Sequence, residues 1–168
     1  MRHMLSSFAA VLAMLGQSAA QAEGSASSLT GAWSGTYVCA QGRTGLTLTI
    51  DRQSGATFSG YFHFYPPRDN PAAREGCFSV NGDVDASGNV SVKAGRWITQ
   101  PDGYVTVDLG GTLQGDGMSG NVTIEPPYGE APWFATCRTF RLVRESERAS
   151  ISEVCRRNDL QARVMGAR

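Results

Sequence analysis

The chain has 168 residues, 41% hydrophobic and 18% charged, with 15 Lys+Arg against 15 Asp+Glu. That length suits one domain with a proper core, and no internal linker is long enough to separate two. The charge is balanced overall but unevenly placed: residues 23–137 hold 11 acids and 6 bases, residues 138–168 eight Arg and four acids. A basic tail interrupted by acids reads as packing on an acidic domain, which argues against a nucleic-acid binder.

Residues 1–22 have the three parts of a secretory signal peptide. Met1 to Met4 is a short basic start, Leu5 to Gly16 an apolar run, and Ala20-Gln21-Ala22 a small-x-small cleavage site. The mature chain is expected to begin at Glu23 and fill one domain, 23–168. The apolar run spans 12 residues, against roughly 20 for a membrane-spanning helix. No Cys follows the cleavage site, so no lipid anchor is expected. The product reads as a periplasmic or secreted protein without a stable membrane anchor.

The mature chain alternates apolar and polar residues in short runs divided by Gly-rich turns, which predicts antiparallel strands. Ala32 to Ala40 sets Trp33, Tyr37 and Cys39 on one face. Gly45 to Asp51 sets Leu46, Leu48 and Ile50 against Thr47 and Thr49. Ala56 to Tyr65 carries Phe58, Phe62 and Phe64 on one face and Tyr61, His63 and Tyr65 on the other. Cys77 to Val84 buries Phe78 and Val80, and Asn89 to Ala94 is short. Tyr104 to Leu113 buries Val105, Val107 and Leu109. Met118 to Glu125 buries Val122 and Ile124, and Cys137 to Val143 buries Phe140 and Leu142. Ser150-Ile151-Ser152-Glu153 then has the form of a capping box. Ile151, Cys155, Ala162 and Met165 follow at helical spacing, predicting an amphipathic helix over about 151–165. The expected fold is all-β: one antiparallel up-and-down barrel of about eight strands, with one C-terminal α-helix packed outside. Outward Ser, Thr and Asp argue against a transmembrane barrel.

Cys39, Cys77, Cys137 and Cys155 all lie in the mature chain, an even count that argues for two disulfides after export. Four Cys allow three pairings. Cys39 with Cys137 would staple the first strand to the last, although alternation sets the two on opposite faces unless a bulge intervenes. Cys77 with Cys155 would then pin the helix. With no C-x-x-C pair and His63 the only mature His, no metal site is expected.

In an up-and-down sheet alternate connections share an end. The short Gly/Asp-rich turns 51–55, 83–88 and 114–117 fall at one end. The connections 41–44, 66–76, 95–103 and 126–136 fall at the other, where binding residues usually sit. They and their flanks supply Arg43, Tyr65, Arg68, Arg74, Arg96, Trp97, Tyr128, Trp133 and Phe134, which mix aromatics with Arg as contact hot spots do. The alternative for Trp97 and Trp133 is that they plug the barrel mouth as core.

Catalytic readings find little. His63 sits mid-strand among aromatics, no thiol stays free, and Asp69, Glu75, Asp102, Glu125 and Glu130 read as solvated loop acids. No Gly-rich phosphate loop precedes a helix. No cofactor is expected. The sequence therefore points to a monomeric, non-enzymatic binding module that contacts a protein or small-molecule ligand through the long-loop end, with an inhibitor of a hydrolase as one form of it. A carrier of a small apolar ligand and a hydrolase are the alternatives.

Gly31-x-Trp33 at the start of the first strand resembles the G-x-W element of calycins, the lipocalin and avidin type of small barrel. That resemblance implies that an Arg of the last strand, Arg141 or Arg144, covers Trp33 at the closed end. Tyr37-x-Cys39-x-x-Gly42 is similar to the opening of periplasmic inhibitors of c-type lysozyme, which are also small disulfide-bonded barrels. Their later Ser-Gly-Ser element has no counterpart here. The pattern is also similar to uncharacterised exported β domains of proteobacteria.

Overall fold

The computed structural model describes residues 28–124 and 137–156. Alternating apolar residues drive eight strands: β1 (Gly31–Cys39), β2 (Gly42–Ser54), β3 (Thr57–Tyr65), β4 (Gly76–Val84), β5 (Asn89–Thr99), β6 (Asp108–Gln114), β7 (Gly117–Thr123) and β8 (Thr139–Ser146). Each pairs antiparallel with its sequence neighbour, and β8 returns to β1, closing an eight-stranded up-and-down barrel. The β5–β6 pairing is the shortest of the eight, covering only Asn89–Val92 against Leu109–Thr112.

The inward residues are those the alternation selects. Leu46, Leu48 and Ile50 of β2, Phe62 and Phe64 of β3, Phe78 of β4 and Leu142 of β8 are all buried. Phe62 is central: its ring stacks on Phe78 at 4.5 Å and meets Tyr37 edge-on at 5.4 Å. Phe64 stacks on Tyr104 at 5.4 Å, and Trp97 meets Phe78 edge-on at 5.2 Å. These rings fill the upper half of the barrel, and such edge and offset contacts add to the area they bury. At the opposite end Leu29 and Trp33 are fully buried. Of the two candidate arginines, Arg144 covers Trp33, whereas Arg141 of β8 is exposed.

Three of the strand boundaries that differ from the sequence reading bear on the long-loop end. The β1–β2 connection is a tight turn at 40–41 closed by Gly42 at φ +86°, a backbone region that glycine enters without strain. Arg43 is consequently a strand residue. β5 runs on to Thr99, because its register against β4 shifts between Phe78 and Val80. Ser79 Oγ accepts the Arg96 amide there at 3.0 Å, so Gly95 marks a bulge and not a strand end. β6 starts at Asp108, not Tyr104. The buried Asp108 carboxylate accepts the Ala94 amide at 2.8 Å and pairs with Lys93 at 2.7 Å. It thereby caps β5 where β5 and β6 part.

The disulfides are Cys39–Cys137 and Cys77–Cys155. Cys137 precedes β8, so strand alternation does not constrain it and no bulge is needed. The Arg138 amide donates to the Val38 carbonyl at 2.9 Å and holds the two cysteines side by side. With loops of 98 and 78 residues, chain-entropy arithmetic assigns about 4.5 kcal/mol to each.

After β8 the chain crosses the outer wall of the barrel. Thr49 Oγ1 of β2 donates to the Ser150 carbonyl at 3.2 Å, and Thr99 Oγ1 of β5 to the Val154 carbonyl at 2.9 Å. Cys77, Ile98 and Cys155 form a second small core with Tyr61, Ile151 and Val154 against it. Helix is described only at 153–156, and the rest of the expected 151–165 helix lies outside the described residues. Its cap is Ser152, whose Oγ accepts the Cys155 amide at 3.3 Å, and not the expected Ser150, whose carbonyl is held by Thr49. Among the described residues no helix is long and apolar enough to cross a membrane.

Candidate binding site at the long-loop end

Strand parity places the connections 55–56, 85–88 and 115–116 at one end of the barrel and 40–41, 66–75, 100–107 and 124–138 at the other. The second set contains every long connection. Its framework is pinned from within: Asn70 Nδ2 donates to the carbonyls of Gln41 at 2.8 Å and Arg43 at 2.9 Å. The Arg74 amide donates to the Tyr104 hydroxyl at 3.0 Å. The 66–75 connection is thus tied both to the β1–β2 turn and to the 100–107 connection.

Between these elements lies an open cavity of about 150 Å³. Tyr37, the Cys39–Cys137 disulfide, Gln41, Tyr104, Val105, Val107 and Ile124 line it. Tyr37 is 3% exposed, and its hydroxyl accepts from Gln41 Nε2 at 3.0 Å. Burial holds this phenol well above its usual range, and the neighbouring Tyr104 adds to the effect against hydrogen bonds from Thr44 and Gln41 that lower it. Tyr37 therefore stays neutral. The site offers apolar walls, the phenols of Tyr37 and Tyr104 and one carboxamide, a composition suited to holding an apolar group.

The residues singled out from the sequence are distributed around this end. Arg43 lies on β2 and pairs with Asp69 at 2.7 Å, both side chains more than half exposed, so the pair contributes little to stability. Tyr65 ends β3 on the outer face, its ring over Gly45, where a Cβ would stand 2.4 Å from the ring. Arg68 and Arg74 are exposed on the 66–75 connection, and Arg96 is exposed at the β5 bulge. Trp97 faces inward and packs against the core. Tyr128, Trp133 and Phe134 lie outside the described residues. Tyr37, Gln41, Tyr104, Val107 and Ile124 were not selected from the sequence. Their signal is positional: Tyr37 lies near the end of β1, and the others lie in the connections at the long-loop end.

His63 faces outward on β3, and its Nε2 is 2.9 Å from Glu75 Oε1. A carboxylate can orient an imidazole in this way for proton transfer. Among the described residues no hydroxyl or thiol is hydrogen-bonded to the ring, so the pair lacks the nucleophile of a triad. No protein-family model and no curated protein matches the chain.

Proposed function

We propose that this protein is an exported, non-enzymatic binding module, acting in the periplasm or outside the cell, that engages its partner through the long-loop end. The observation that carries the reading is the cavity lined by Tyr37, Tyr104 and Val107, set among the long connections of an otherwise aromatic-filled barrel. Two disulfides support an oxidising compartment. The Trp33–Arg144 contact favours calycin-like barrels and with them a second reading, a carrier of a small apolar ligand. Phe62, Phe64, Phe78 and Trp97 occupy the space such a ligand would need, which weighs against it.

The test is capture from cell-envelope and host extracts by the mature protein, read by mass spectrometry. Its comparison is the triple charge reversal Arg68→Glu, Arg74→Glu, Arg138→Glu at the long-loop end. A specific partner should be retained by the native protein and lost by the variant, while a control change at the other end, Gln114→Glu, leaves capture intact. Capture that survives the triple variant and is lost with the control would overturn the reading. Native mass spectra showing a bound small molecule would favour the carrier.

A further inference from the structure

We infer that the cavity beside Tyr37 is a socket for one apolar side chain of a partner protein, presented on a segment flanked by acidic residues. The inference rests on the binding-module reading and names its occupant.

Volume selects the occupant. Sites for drug-sized ligands run from roughly 300 to 1,000 Å³, whereas a cavity near 150 Å³ holds a group of about benzene size. At about 150 Å³ the cavity is too small for a lipid or cofactor and fits a single Phe, Leu or Met side chain. Its walls match such a group: Val105, Val107, Ile124 and the Cys39–Cys137 disulfide present carbon and sulfur. The floor is fixed before any partner arrives, because Tyr37 is fully packed and hydrogen-bonded to Gln41. An anchoring side chain that enters a preformed pocket, ringed by contacts that exclude water, is the arrangement typical of interface hot spots.

Charge selects the flanks. Arg74 is tied through its amide to Tyr104, a wall of the cavity, and Arg138 follows Cys137, another wall. Both side chains are exposed, and neither joins an ion pair with a described residue. Arg68, on the same connection as Arg74, is likewise exposed and outside those pairs. The described acids in the same neighbourhood are Asp102, next to Gly103, and Asp69 and Glu75, which are engaged by Arg43 and His63. Exposed guanidiniums that pair with no described residue, set beside an apolar socket, favour carboxylates placed on either side of the inserted residue.

Three capped tripeptides test this on the folded, oxidised protein by NMR titration: N-acetyl-Asp-Phe-Asp-amide, the same peptide with Ala for Phe, and the same with Lys for both Asp. The Asp-Phe-Asp peptide should give saturable shifts at the amides of Tyr104, Val107 and Ile124. The Ala peptide should bind at least tenfold more weakly, and the Lys-flanked peptide at least threefold more weakly. In the exposed double variant Arg74→Glu, Arg138→Glu the preference between Asp and Lys flanks should invert. Equal binding of the Phe and Ala peptides, or a flank preference unmoved by the charge reversal, would overturn the inference. Absence of saturable shifts would overturn it too. If extract capture still depends on the long-loop end in that case, the binding-module reading stands and only the socket falls.

Discussion

The guanidinium carbon of Arg144 lies 4.2 Å from the centre of the Trp33 ring, joining the last strand to the first at the closed end of the barrel. The same group donates to the Thr30 carbonyl at 2.9 Å and the Ser28 carbonyl at 2.5 Å, and it pairs with Asp116 at 3.3 Å. Trp33 Nε1 in turn donates to the Leu29 carbonyl at 2.8 Å. One side chain thus covers the tryptophan, fixes the entering chain and neutralises the β6–β7 turn.

Replacing Arg144 with Ala should destabilise the domain by about 3 kcal/mol, combining a mostly desolvated cation–π contact with two charge-assisted hydrogen bonds. Arg144→Lys keeps the charge but not the planar fork, and about half of the loss should remain. Urea denaturation of the oxidised protein measures both. A lysine variant as stable as the native protein would show that charge alone suffices.

The two disulfides should differ in their response to reductant. Cys77 and Cys155 are 0% and 1% exposed beneath the segment that crosses the barrel wall, whereas Cys39–Cys137 lines the open cavity. Exchange requires access of an attacking thiolate to a sulfur. Under mild dithiothreitol, alkylation and peptide mapping should find Cys39 and Cys137 modified first, with the barrel still folded.

Tyr37 predicts a pH dependence. Its phenol is held above the ordinary value near 10 by burial, so above that pH the unfolded chain releases a proton that the folded chain retains. The stability it contributes is fully present below about pH 10 and is lost as pH rises further. Absorbance titration at 295 nm should show Tyr37 ionising only with alkaline unfolding. Tyr37→Phe should flatten the alkaline fall in melting temperature.

Asp85 sets the β4–β5 turn. Its carboxylate accepts the Asn89 side chain at 2.7 Å, the Asn89 amide at 2.9 Å and the Ser87 amide at 2.8 Å. These bonds, that to the Asn89 side chain foremost, hold its carboxyl below the usual range. Because the folded value is depressed, the stabilisation is present above the unfolded value near 4 and is lost as pH falls through the folded one. Asp85→Ala should lower the melting temperature at pH 7, with the difference from the native protein shrinking toward pH 2.

Asp108 tests the parting of β5 and β6. Asp108→Ala strands the Ala94 amide and removes one partner of Lys93, at a cost of about 1–3 kcal/mol for the unmade hydrogen bond. Hydrogen exchange should accelerate at Ala94 and its neighbours ahead of β1–β4.

The sequence by itself determined the all-β class, the eight strands, their inward faces and the split between short and long connections. Each follows from period-two alternation and turn chemistry, which act over a few residues. It also held the four cysteines, without saying which pairs form. Tertiary structure decided that pairing, because it depends on the closure of β8 onto β1 and on residues 147–156 crossing the outer wall. It also decided that Trp97 belongs to a strand, since Ser79 and Asp108 act on β5 from β4 and β6, 14–17 residues away. The cavity was decided there as well: Tyr37, Tyr104 and Ile124 come from three separate parts of the chain, and only the closed barrel brings them together.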